Sequence, residues 1–255
     1  MTERSGGVFV GRGVSLRLRN LQIRFGPDGP EIPPVTVELS LGMAPFWLEI
    51  ALKHLAEAEA HHGVLLAAKP DDGQGRAVAL EGEFCSGMQA IVAAATAIDA
   101  LYAQVKPFAE IPDDVAAAWR TNGTARYKQV AEVLRRAFHL KDRRAANLRR
   151  ALKETYRFRD WAVHPESSFS VPVLHPDLGA GTEWRFVAFG FAIAKQIVRA
   201  ALAFTALLAW KPPEAASEPF RQVCADTLAR IDPLTREWCQ KYGQLTDDEF
   251  ERRPA

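Results

Sequence analysis

Alternation of apolar and polar residues with period two is confined to residues 14–41, and the chain beyond runs on the helical period. That partition limits the fold to a mainly α body with a small N-terminal β unit. Val14, Leu16 and Leu18 alternate with Ser15, Arg17 and Arg19; Leu21, Ile23 and Phe25 continue after a slip of phase at Asn20. A one-residue slip turns a strand's faces over, so a bulge or break is expected near Asn20. The turn-rich stretch from Gly26 to Pro34 leads to a second alternating run, Val35, Val37, Leu39 and Leu41. Together they predict a small antiparallel unit, which at this size is expected to pack on something larger.

Pro45 suits the first turn of a helix with Trp47, Ile50, Leu55, Ala58 and Leu65 on one stripe, ending near Ala68. Lys69-Pro-Asp-Asp-Gly-Gln-Gly75 reads as a flexible connector and the internal boundary. An apolar helix over about 80–106 is stopped by Pro107, and a short one over about 112–120 ends at Asn122-Gly123. Thr124 is placed to cap the next, which runs to about Leu140, and Asp142 to cap a basic helix over 143–163. His164-Pro165 ends that helix, because a residue before proline is driven out of helical dihedrals. A proline-rich loop reaches Gly181. Helices then fill 183–210 and about 214–242, the second broken at Asp232-Pro233. The expected division is 1–76 for the β unit and one helix packing on the bundle, 77–243 for the bundle and 244–255 for a polar tail.

The three cysteines, Cys85, Cys224 and Cys239, are far apart and form no C-x-x-C pair. A disulfide framework or zinc knuckle is therefore not expected, and a reducing compartment fits. The apolar run 186–210 is interrupted by Lys195, Gln196 and Arg199, which predicts a buried helix and no membrane span. The opening Met1-Thr-Glu-Arg-Ser-Gly-Gly has no apolar run of signal-peptide type. The expected location is cytoplasmic.

Charge is distributed unevenly. Between Arg135 and Arg159 ten Lys/Arg meet only Asp142 and Glu154, a net +8 in a chain whose total is +1. One basic face of this kind suits a polyanionic partner. It ends in Arg157-Phe-Arg159-Asp160-Trp-Ala-Val-His164, where a histidine able to move a proton near neutral pH stands beside cations. Arg157, Asp160 and His164 share a stripe at i, i+3 and i+7, and Arg159 lies roughly 140° around from His164 on an ideal helix. An Asp one turn before a His can fix its tautomer. On residue types alone, a salt-bridged helix end whose histidine caps the last carbonyls explains the same pattern.

Arg159 to His164 fits the R-x4-H signature of the HEPN superfamily, which this chain resembles over about residues 80–240; Arg157 to His164 fits its R-x6-H variant. The resemblance implies a HEPN-like helical bundle with the motif at a helix end and a polar residue, here Asp160, after the arginine. It also implies an acidic residue on the first apolar bundle helix facing the site, which Asp99 matches. By the same resemblance the protein would be a metal-independent endoribonuclease, a toxin or antiviral defence effector, acting as a homodimer with two motifs facing across a two-fold axis. Attack by a ribose 2′-OH needs a base, an acid and cations to stabilise the phosphorane. His164 would be the base or acid and Arg159 the main phosphate contact. Arg157 would be a second contact or the alternative motif arginine, and Asp160 would orient His164 or the arginine. The resemblance implies 2′,3′-cyclic phosphate and 5′-OH products, and no cofactor or metal is expected. The alternative is a catalytically silent HEPN-like module that binds a partner protein, such as a nucleotidyltransferase antitoxin, or a nucleotide. A third reading is an unrelated helical scaffold whose basic helix contacts nucleic acid without cutting it.

Other residues carry less. His54 and His61 share a helix face with His62 adjacent, but no acidic or cysteine partner completes a metal set. His175 is read as a loop residue, and Lys195 and Arg199 as snorkelling side chains or part of an RNA groove. Gly11-Arg-Gly13 and Gly73-Gln-Gly75 lack the context of phosphate loops. Ser86 and Ser168 have no His/Asp partner pattern.

Overall fold

The alternating segment folds as two short antiparallel ribbons. β1 (Val14–Arg19), β2 (Arg24–Gly26), β3 (Gly29–Glu31) and β4 (Thr36–Leu41) pair as β1 with β4 and β2 with β3. In the first ribbon Val14, Leu16 and Leu18 stand opposite Leu41, Leu39 and Val37, so the register places every apolar side chain on one face. Leu16 and Leu39 remain 45% and 51% exposed on that face. The other face pairs Arg17 with Glu38, and Arg19 adds an ion pair to Glu38 at 2.8 Å. In the second ribbon β2 belongs to the alternating run that ends at Phe25 and only β3 lies inside the stretch read as loop, where Gly29 turns with a φ of 118°, which glycine alone adopts without strain. This computed structural model describes residues 10–19, 22–26, 29–31, 35–164 and 169–245. The break expected at Asn20 and residues 246–255 of the tail lie outside them.

The chain divides into two compact units at Met43 and Ala44, not near residue 76. The helices of the second unit are α1 (Ala44–Ala67), α2 (Gly73–Val105), α3 (Asp113–Thr121), α4 (Arg126–Ala137), α5 (Asp142–Val163), α6 (Trp184–Ala188), α7 (Phe191–Trp210) and α8 (Glu218–Tyr242). The boundary differs from expectation because α1 lies along α2, burying Leu48, Ala51, Leu55, Ala58 and Leu65. Leu55, Ala58 and Leu65 are the residues expected there and Trp47 packs on the core beside them, whereas Ile50 is 39% exposed. The connector is correspondingly short. The Asp72 carboxylate accepts the Gly75 N–H at 2.8 Å, so α2 begins at Gly73, well before residue 80.

α2 is the central helix. Ala90, Ile91, Ala93, Ala94, Ala95, Ala97 and Ile98 are all buried, so it is apolar all round, and α1, α4, α5, α7 and α8 surround it. At Gly87 the approach is closer than any side chain allows: a Cβ there would stand 1.9 Å from the Phe189 carbonyl oxygen. Phe189 and Gly190 divide the helix expected over 183–210 into α6 and α7. Glu83, 3% exposed, accepts the Phe191 N–H at 2.7 Å and pairs with His62 Nδ1 at 3.2 Å. A buried carboxylate on α2 thus serves an N–H in the first turn of α7.

Other boundaries also moved. Ala125 and Lys141 are the N-caps of α4 and α5, in place of Thr124 and Asp142. α8 runs unbroken through Pro233, with Ile231, Leu234 and Trp238 buried on both sides of it. Packing there overrides the lost hydrogen bond. The loop after α5 carries a short pairing of β5 (Val173–Leu174) with β6 (Gly181–Thr182). Two stretches, Gly73–Phe108 and Phe191–Trp210, are long and apolar enough to cross a membrane by length and composition. Both contribute to the core, through Ala90, Ile91, Ala97, Val198 and Leu202.

Candidate functional site

The two arginines of the α5 motif face different ways, and the helical period is the reason. Leu148, Leu152 and Tyr156 are buried on one stripe, and Arg159 follows at i+3 on the inward side. Arg157 lies on the opposite side, where Arg150 and Lys153 are exposed. Arg157 pairs with Glu154 at 2.5 Å and stacks over Trp161 at 4.8 Å from the ring centre. Trp161 in turn meets Trp184 edge-on at 5.0 Å.

Arg159 reaches Asp99 on α2. Asp99 is a hub: its Oδ1 accepts from Arg126 Nε at 2.9 Å and from the Tyr156 hydroxyl at 2.7 Å, while Arg159 approaches Oδ2 at 3.8 Å. The Arg126 guanidinium lies over the Tyr102 ring at 4.1 Å, and that of Arg159 over Tyr156 at 5.3 Å. The niche is half open, with Arg126, Asp99 and Arg159 side chains 39%, 27% and 26% exposed. Burial disfavours the Arg126 charge, but the Asp99 carboxylate beside it more than compensates and raises its pKa. Burial, followed by the Asp99 charge, pushes the Tyr156 phenol far above its ordinary value. Tyr156 is therefore a neutral donor, and the two guanidiniums are fixed cations whose outward N–H groups suit a phosphate.

Asp160 turns to Arg159, with 3.1 Å between carboxylate and guanidinium. His164 is the C-cap of α5, its backbone N–H bonded to the Asp160 carbonyl at 2.9 Å. Its ring is exposed and makes no hydrogen bond or ion pair with Asp160, Arg157, Arg159 or any other described residue. Pro165 and Ser168 lie outside the described residues.

No protein-family model, curated protein or solved structure matches the chain.

Arg126, Tyr156 and Tyr102 escaped the sequence reading. Arg126 is separated from Asp99 by 27 residues, and no local spacing links them. One signal was legible: a cation in the first turn of a helix opposes the dipole and calls for a carboxylate elsewhere. The lesser candidates have ordinary partners. His54 pairs with Glu57 at 2.8 Å and His62 with Glu83, while the His61 ring packs where a Cβ on Gly82 would fall. Among the described residues no group of three or more His, Cys, Asp or Glu is placed to hold a metal. His175 is not a free loop residue; it is 3% exposed, and its Nδ1 accepts the Asp177 N–H at 3.3 Å. Lys195 lies over the Tyr242 ring at 4.4 Å, and Arg199 donates to the Leu245 carbonyl at 3.0 Å. Both are engaged at the C-terminal end of α8.

Proposed function

We propose that the protein is a metal-independent endoribonuclease of the HEPN type, acting as a homodimer in a toxin–antitoxin or antiviral defence setting. One observation carries the reading: the arginine of the R-x4-H run meets an aspartate on the central apolar helix, and both stand at the end of the most basic helix. Arg159 is then the motif arginine. Asp99 and Asp160 hold its guanidinium from two sides, and Arg126 adds a second cation to the same niche. In the reaction an RNA 2′-OH attacks the adjacent phosphorus, Arg159 stabilises the phosphorane, and His164 moves the proton. One imidazole serves one transfer, so a second motif from a partner copy supplies the other. The exposed row of Arg150, Lys153 and Arg157 gathers the phosphodiester backbone and makes binding salt-dependent.

Cleavage of single-stranded RNA in EDTA tests this directly. Wild-type protein should leave cyclic phosphate ends; His164→Ala should be inactive but folded, and Arg159→Ala should be slower by roughly a hundredfold. Equal cutting by wild type and His164→Ala would overturn the reading. The free ring of His164 favours one alternative, a silent module that binds a partner protein or nucleotide through its arginines. Absence of cleavage together with tight partner binding would select it.

A further inference from the structure

The turn joining α4 to α5 and the C-terminal end of α7 enclose a cavity of about 390 Å³. It lies roughly 22 Å along α5 from Arg159 and belongs to no part of the Arg/His niche. Its floor is apolar: Phe138 and Leu148 are 6% and 1% exposed, with Phe204 and Leu207 beside them. Its rim is exposed and basic. Arg144 and Lys211 stand there with Trp210, which is 56% exposed and carries the Lys211 ammonium 4.5 Å from its ring centre.

Two facts decide what such a space accepts. Every charged side chain lining it is cationic, and Arg144 makes no ion pair with a described residue. None of the lining residues is an acid, amide or alcohol. Beyond the two cations only His139 and the Trp210 indole offer polar side-chain groups, too few for the several polar edges of a nucleobase or sugar, whereas a hydrocarbon body with one anionic end matches an apolar floor under a cationic rim. The volume falls in the range of roughly 300–1,000 Å³ usual for small-molecule sites. The wider depression across the same turn is lined differently: it contains the acid Glu110 and the alcohol Ser217 beside Lys141, and its Arg135 and Arg136 share the single carboxylate of Glu132 at 2.8 and 2.6 Å. The turn between the two holds His139 at a φ of 51°, with Asp142 at 45° just beyond. Such left-handed non-glycine residues are strained and concentrate at ligand sites.

We propose that this cavity binds an anionic amphiphile, an acyl-chain carboxylate whose tail lies between Phe138, Leu148 and Leu207 and whose head meets Arg144 and Lys211. Calorimetric titration of the full chain with decanoate, decyltrimethylammonium and neutral decyl maltoside tests it. Decanoate alone should bind saturably at micromolar concentration. Arg144→Glu and Lys211→Glu should each weaken it by about tenfold, the loss of one charge-assisted contact. Leu207→Trp fills the space and should abolish binding. If that variant fails to fold, the two charge reversals on the exposed rim decide. Lack of saturable decanoate binding at millimolar concentration, equal binding of the cationic detergent, or affinity unchanged by both charge reversals would overturn the assignment.

Discussion

Asp99 accepts from a phenol and a guanidinium on one oxygen and draws a second guanidinium to the other, so its loss should exceed that of any single donor. Tyr156→Phe removes one neutral bond and should cost about 1 kcal/mol, while Asp99→Ala takes the shared acceptor from both the Tyr156 hydroxyl and the Arg126 guanidinium and should cost about 1–3 kcal/mol. Urea unfolding of the two variants checks this, and equal losses would show that the arginines add nothing. A second carboxylate sets an acid response. Hydrogen bonds from Arg135, then Arg136, outweigh burial and lower the Glu132 pKa to about 2, from an ordinary value of 4.5. A depressed folded-state pKa contributes stability above the unfolded value, and that share is lost as pH falls from about 4.5 through about 2. The melting points of wild type and Glu132→Gln should therefore converge across that window and differ above it. At this scale the sequence disclosed types but not partners. Asp99 stands out only through the family resemblance, and His164 as a histidine beside arginines at the end of a basic helix. The bond from Arg126 depends on how three helices meet and has no local signature.

Elements were legible where a period or a local cap decides them. The basic helix was expected over 143–163 and runs Asp142–Val163, because the four-residue spacing of Leu148, Leu152 and Tyr156 fixes its inward face. The reading of α8 erred because Pro233 has a strong local meaning that buried Ile231, Leu234 and Trp238 override. α2 was expected too late because Asp72 caps it across glycines that read as connector. The contact at Gly87 was invisible: nothing in the surrounding residues says that the Phe189 carbonyl will arrive there. Its effect on stability is nonetheless predictable. Gly87→Ala places a Cβ 1.9 Å from a backbone oxygen, so α2 and the α6–α7 turn must separate, at a cost of about 1–3 kcal/mol or more. The thermal midpoint of Gly87→Ala against wild type checks it, and an unchanged midpoint would show that the turn yields freely. An alanine at Gly63, where no neighbour stands within 4 Å, is the matched control.

For the whole molecule, the proposed reaction needs two imidazoles and the chain offers one in its motif. Multi-angle light scattering should therefore report a dimer at micromolar concentration, and a strict monomer with and without RNA would count against the two-histidine mechanism. The position of α2 has a consequence for how the chain is made. α1 and α2 are adjacent in sequence and can zip into a hairpin as soon as residue 105 leaves the ribosome. The flank of α2 that packs on α7 must wait for residues 191–210, a delay of roughly five to twenty seconds at 5–20 residues per second. Throughout that interval an alanine- and isoleucine-rich surface faces solvent or a chaperone without its native cover. Ribosome-bound chains stalled between the two helices would be the species on which the protein's yield in the cell is decided.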